Sequence, residues 1–177
     1  ACQQGLTDIE NEAEAGASMG DYGALPRLVM ATANPHKVTE IGLVLEGLAH
    51  LEPRPADVPD VVEDGDTLEA NARLKAVAIC EATGAAAVAD DTGLEVDALG
   101  GAPGVHSARY AADGGLGAAG DAVANTARLL GELAGVPAGR RTARFRTVAL
   151  VRHPDGTEVI ATGTVEGHVT EEPAGDG

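Results

Sequence analysis

Apolar residues in this chain fall into short blocks of two rhythms, and the alternation between them predicts the architecture. Leu28-Val29-Met30-Ala31 is an unbroken apolar run of buried-strand length, followed by the polar stretch Thr32-Ala33-Asn34-Pro35-His36-Lys37. Val38, Ile41, Val44/Leu45 and Leu48 then recur at helical spacing, with Pro35 near the helix start, where its missing N–H does no harm. A Pro- and acid-rich connection from Glu52 to Asp66 leads to a second helix over about Thr67 to Ala82, with Thr67 as its N-cap and Gly84 as its stop. Ala85 to Ala89 reads as a small-residue buried strand that delivers Asp90-Asp91-Thr92-Gly93 into a turn. Extended structure resumes over Leu94 to Leu99, and Gly100 to Gly104 forms a rigid loop. A third helix over Asp121 to Ala134 would turn Val123, Ala127, Leu130 and Leu133/Ala134 to one side. Thr142 to Arg152 and Glu158 to Val165 pair as a hairpin around Pro154-Asp155-Gly156. Strands and helices alternating early, with a hairpin late, make an α/β chain with a mixed central sheet flanked by helices.

Composition narrows the class. A length of 177 residues fits one domain, and 44% apolar with 23% charged residues is incompatible with a disordered chain. Residues 1–25 are the exception: they hold Asp8, Glu10, Glu12, Glu14 and Asp21 and no base, and read as an acidic, disordered extension before a domain over 26–177. No apolar stretch approaches the roughly 18 residues of a membrane span. No basic segment precedes an apolar one as in a secretory leader. Cys2 and Cys80 match no metal spacing, which points to a reducing, cytoplasmic setting. A formal charge of -16 argues against binding nucleic-acid backbones. The one basic cluster, Arg140, Arg141, Arg144 and Arg146, lies largely on alternating positions of a strand and reads as its solvated face. Of the 12 basic residues only Lys37 and Lys75 are lysines.

Three groups of residues could carry chemistry. Thr32 to Lys37 form a strand-to-helix turn, where free backbone N–H groups, the positive helix end and the Lys37 ammonium suit a polyphosphate, although a polar turn with a surface lysine reads as well. Asn71 and Lys75, four apart, share one face of the second helix, where a lysine among alanines needs an anion or a route for its stem to water. Asp90 and Asp91 follow an apolar strand and diverge, so that one can hold a metal or order water while the other acts as base. Glu63 adds a hard oxygen ligand of the kind Mg²⁺ takes, against the alternative of solvated or capping acids. Asp91-Thr92-Gly93 also spells the aspartic-protease triplet, which would require a homodimer, since the chain carries one copy.

In order along the chain, Ala31 to Lys37, Glu63 to Ala76, Asp90 to Tyr110, Gly163 to Gly167 and Glu172 to Gly175 resemble the inosine triphosphatase or XTP/dITP diphosphatase family of house-cleaning pyrophosphatases. The resemblance covers Leu28 to Gly177. It implies an elongated α/β fold with a central substrate cleft, usually as a homodimer. It also implies Mg²⁺-dependent hydrolysis of deaminated purine nucleoside triphosphates (ITP, dITP, XTP) to the monophosphate and pyrophosphate, which keeps such bases out of DNA and RNA. Carried over, Thr32, Ala33, Asn34, Pro35, His36 and Lys37 would cradle the phosphates, and Lys75, Asn71 and Thr92 would contact substrate. Glu63 and Asp91 would ligate the metal, and Asp91 would also be the base for the attacking water. Ala33 and His36 stand where the family often has glycine, and Thr92 where serine is common. The family continues into a Phe-Gly-Tyr-Asp segment and later a Ser-His-Arg segment that hold the base, so the domain over 26–177 is expected to lack its base-recognition segment. A nucleotide-binding fragment with weak turnover is the alternative.

Overall fold

A computed structural model describes residues 25–173 of the chain. The predicted 1–25 extension falls outside them except for Leu25. The elements run β1 (Arg27–Met30), α1 (Pro35–Val44), β2 (His50–Glu52), α2 (Leu68–Thr83), β3 (Ala87–Val96), β4 (Pro103–Gly104), α3 (Tyr110–Asp113), α4 (Ala122–Glu132), β5 (Thr142–Arg152) and β6 (Glu158–His168). One sheet in the order β2-β1-β3-β5-β6 holds all the long strands, with β4 against β3. Strands β1, β2 and β3 are parallel and β3, β5 and β6 antiparallel, so the sheet is mixed, as the element pattern requires.

Helix starts follow side-chain caps. The Asn34 side-chain oxygen accepts from His36 N, Thr67 Oγ1 from Ala70 N, and Asp121 Oδ1 from Ala124 N. Each cap satisfies a backbone donor that the first helical turn leaves without a partner. Helix α2 packs on the sheet through Leu68, Ala72, Ala76 and Ile79, against Val29, Ala87, Ala89, Val148 and Leu150. Ala72, Ala76, Ala87 and Ala89 are fully buried, and their small side chains let the helix lie close to the strands. On the opposite face, Val38 and Ile41 of α1 and Leu45 just after it cover Leu28, Met30 and Val88. Arg73 of α2 and Arg152 of β5 both grip Glu158, at 2.9 Å each, and hold its carboxyl below the usual range.

Several predicted details are corrected. Asp90-Asp91-Thr92-Gly93 is no turn: β3 runs unbroken through it, in register with β5 from Ala87↔Arg152 to Val96↔Ala143. Gly93 serves close approach rather than curvature, because a Cβ there would come within 2.4 Å of Gly104 O on β4. Leu94–Val96 continue the strand, but Asp97–Leu99 are a 3₁₀ turn. Leu48 lies beyond α1 and is exposed, as are Val44 and Val123. Helix α4 reaches the core through Leu129 and the following Leu133, packed on Val96 and Ala143, because only its C-terminal end meets the sheet. Within the arginine cluster Arg140 is exposed and Arg144 and Arg146 form a half-exposed strand face, and only Arg141 departs from that reading. Arg141 is buried and donates to the Val136, Leu133 and Thr170 carbonyls, while Arg144 and Arg146 pair with Glu95, Asp97 and Glu166. Among the described residues no helix is long and apolar enough to cross a membrane.

Two measurements check this packing. Gly93→Ala is expected to cost about 1–3 kcal/mol, since the added methyl meets backbone, read as a lower urea midpoint with an unchanged slope. Tyr110 donates to Glu132 under the Arg128 guanidinium, and burial with that hydrogen bond pushes its phenol up to about 12. A raised folded-state value makes this contribution complete below the unfolded phenol value near 10 and lost as pH climbs toward 12. Tyrosinate absorbance should therefore show Tyr110 ionising together with loss of the fold.

Candidate active site

The cleft opens where the parallel strands end. Met30 pairs with Val88, after which β1 gives way to the Ala31–Asn34 turn while β3 continues, so Asp90 and Asp91 lie level with that turn. Ligands of α/β sheets dock at such carboxyl ends. The cavity is about 440 Å³ and is lined by Ala31 to Asn34, Lys37, Lys75, Asp91 and Thr92, with Arg54, Asp60, Val61, Glu63 and Ala108 around them.

Strand alternation sends the two aspartates to opposite faces of the sheet. Asp91 faces α2, where Lys75 Nζ lies 3.0 Å from its Oδ1 and 3.3 Å from Glu63 Oε2. The Lys75 and Asp91 side chains are 12% and 11% exposed, which makes this a largely desolvated pair. Asn71, one helical turn earlier, is buried beneath it. Its amide nitrogen donates to Asp91 Oδ2 at 3.4 Å, and its oxygen accepts from Gly65 N at 2.8 Å. Gly65 has no room for a side chain, since a Cβ would sit 2.7 Å from both Ala70 Cβ and Asn71 Oδ1. Asp90 faces α1 and pairs with Lys37 Nζ at 2.7 Å. Its other oxygen is buried with no hydrogen-bond partner among the described residues.

Thr32, Ala33, Asn34, Lys37, Glu63, Lys75, Asp91 and Thr92 thus converge on one cavity. Pro35 and His36 lie in the exposed first turn of α1 and do not line it, and Asn71 supports it from below. Within the turn, Asn34 N already donates to Thr32 Oγ1 at 3.2 Å. Thr92 Oγ1 lies 2.9 Å from Thr147 Oγ1 across β5. An aspartic-protease dyad would pair Asp91 with a second carboxylate sharing one proton, whereas here its partners are Lys75 and Asn71 of its own chain.

Sequence reading missed Arg54. Its Nη2 donates to the Val58 and Pro59 carbonyls, both at 2.9 Å, and meets Asp60 at 3.0 Å, folding the Pro-rich connection over the cleft. The only available signal was a lone arginine between prolines.

The donor set fits a divalent cation. Two carboxylates from separate parts of the chain meet on one ammonium, which occupies the place of a positive charge. Among the described residues no group of three or more His, Cys, Asp or Glu could cage a metal. One or two carboxylates completed by phosphate oxygens and water is the usual way of holding Mg²⁺.

Residues 28–177 match the Ham1 family. A dITP/XTP pyrophosphatase of Nitratidesulfovibrio vulgaris is 50% identical over 155 residues, covering 84% of this chain and 74% of that protein. One from Streptomyces coelicolor is 45% identical over 159 residues, covering 86% and 76%. The crystal structure of a nucleoside-triphosphatase / dITP/XTP pyrophosphatase from Mycobacterium abscessus superposes with a TM-score of 0.72 at 39% identity, over 84% of this chain and 77% of that one. The Staphylococcus aureus Ham1 protein gives 0.73 at 34% identity, over 85% and 76%.

Replacing the ammonium tests the fit. Lys75→Met leaves two carboxylates facing without a cation, and is expected to cost about 3–5 kcal/mol in a thermal melt. Millimolar Mg²⁺ should raise the midpoint of Lys75→Met more than that of the unsubstituted chain. Equal shifts would mean that Glu63 and Asp91 do not hold the ion.

Proposed function

The chain belongs to the Ham1 family and is a nucleotide pyrophosphatase, and we propose that it hydrolyses deaminated purine nucleoside triphosphates (ITP, dITP and XTP) to the monophosphate and pyrophosphate with Mg²⁺, so that such bases stay out of DNA and RNA. The observation that carries this reading is the convergence of Glu63, Asp91 and Lys75 on one side of a cleft whose other side is the Thr32–Lys37 turn. The substrate class is taken from the names of the relatives.

Phosphoryl chemistry needs positioning and charge neutralisation more than covalent help. Mg²⁺ held by Glu63 and Asp91 would supply charge neutralisation at the phosphate oxygens. Lys37 and Lys75 leave their carboxylate partners for phosphate oxygens, and the turn donates through its backbone N–H groups and the Thr32 and Asn34 side chains. Asp91 takes the proton of the attacking water. The new P–O bond forms as the bond between the first and second phosphates breaks, and pyrophosphate leaves with the electron pair. Asn71 holds the Asp91 carboxylate in orientation, and Thr92 touches substrate. A homodimer in the reducing cytoplasm, over a domain spanning 26–177, completes the reading. The buried thiol of Cys80 on α2 suits that compartment.

The test is pyrophosphate release from ITP, XTP and dITP against ATP and GTP, with Mg²⁺ or with chelator. Release confined to the deaminated substrates and abolished by chelator is expected. Asp91→Asn should lower the rate by about 10²–10⁴-fold, the usual worth of a general base, while keeping most triphosphate affinity. Triphosphate binding without any release would make the chain a nucleotide-binding module instead.

A further inference from the structure

We propose that Arg109 is a positioning residue that holds Glu63 level with Asp91 across the cleft, an inference that rests on the reading of Glu63 above. Glu63 lies between β2 and α2, in a connection with no helix or strand of its own. A metal-binding carboxylate there lacks the ladder of backbone hydrogen bonds that fixes Asp91 in β3. Lys75 meets the Glu63 carboxylate, and among the described residues three side chains hold the main chain of the connection. Arg54 holds Val58 and Pro59, Asn71 holds Gly65, and Arg109 alone reaches the Glu63 peptide, its Nη1 donating to the Glu63 carbonyl at 3.2 Å.

Arg109 is itself anchored to the strand that carries Asp91. It ends the 3₁₀ turn Ser107–Arg109, where Ser107 Oγ accepts from Leu94 N of β3 at 2.8 Å and donates to Gly104 O of β4 at 2.6 Å. The Arg109 Nε lies 3.4 Å from Asp113 Oδ2, which also meets His106 Nδ1 at 2.6 Å, so the guanidinium is steered from behind. Both carboxylates are therefore referenced to β3: Asp91 directly, and Glu63 through Ser107 and Arg109. The planar fork of arginine addresses Asp113 with one nitrogen and the carbonyl with another, which a lysine ammonium on its flexible stem cannot reproduce. Partners that orient a metal ligand without touching the metal commonly set affinity by 10–100-fold.

The test compares the full chain with Arg109→Gln and Arg109→Lys in two measurements. Without metal or nucleotide, hydrogen–deuterium exchange over residues 60–66 should quicken by about 10-fold or more in Arg109→Gln and less in Arg109→Lys, with residues 87–96 unchanged. In calorimetric titration, Mg²⁺ affinity should fall by about 10–100-fold in Arg109→Gln, and the Mg²⁺ concentration for half-maximal pyrophosphate release should rise more than kcat falls. Unchanged exchange over 60–66 would overturn the proposal. So would faster exchange with wild-type Mg²⁺ affinity, which would reduce Arg109 to a loop tether. A wild-type chain that binds no Mg²⁺, with exchange still loosened in Arg109→Gln, would sink the metal reading of the site and leave the hold of Arg109 on Glu63 standing.

Discussion

An ammonium that is almost out of water must be answered at its own depth, and most of this site follows from that demand. Lys75 projects from a helix whose inner face is Ala72 and Ala76, against strand residues Ala87 and Ala89. Larger side chains at these positions would push α2 away from the sheet and move Lys75 off Asp91. The close contact instead presses the charge against β3, where Asp91 and Glu63 receive it. Alanine, usually the least informative residue in a core, here sets a distance on which the chemistry depends.

The same economy of charge runs through the cleft. Each cation that lines it has an acidic partner: Lys37 with Asp90, Lys75 with Asp91 and Glu63, Arg54 with Asp60. A chain with a formal charge of -16 thus lines its cleft with cations without presenting a basic surface. On the proposed reading, a divalent cation takes over the carboxylates of Lys75 and frees the lysine for the phosphates. Metal and triphosphate then assist one another, since each supplies what the other displaces.

Local chemistry made much of this legible in the sequence. The Thr67 cap, the helix starts near Pro35 and Asp121, the helical spacing of Val38, Ile41 and Leu45, and the hairpin about Asp155-Gly156 are all decided within a few residues, and the structure bears them out. Misreadings arose where a residue answers to something far away in the chain. Gly93 looks like a turn glycine until Gly104 is seen against it, and Val123 looks like a core position until α4 is seen to meet the sheet only at its end. Arg54 and Arg109 were invisible as site residues for the same reason. Their partners are main-chain carbonyls of an irregular segment, which no spacing rule marks. The two lysines stood out because there are only two, and both line the cleft.

The unbroken course of β3 makes the division of labour between the two aspartates a matter of parity. Odd positions of the strand face α2 and even positions face α1, so the identity of the carboxylate on each side depends on counting residues from the paired end at Ala87. An insertion or deletion of one residue between Ala87 and Asp90 would leave the composition of the site intact and exchange the faces of its two carboxylates, whereas a change of two would restore the faces but move both carboxylates along the strand by roughly 6–7 Å. Gly93 and Gly104, backbone against backbone, leave the strand little freedom to slide and absorb such a change. The length of this strand is therefore fixed by face and by distance alike, while the connection from Glu52 to Asp66 can vary wherever the ties from Arg54, Asn71, Lys75 and Arg109 are kept.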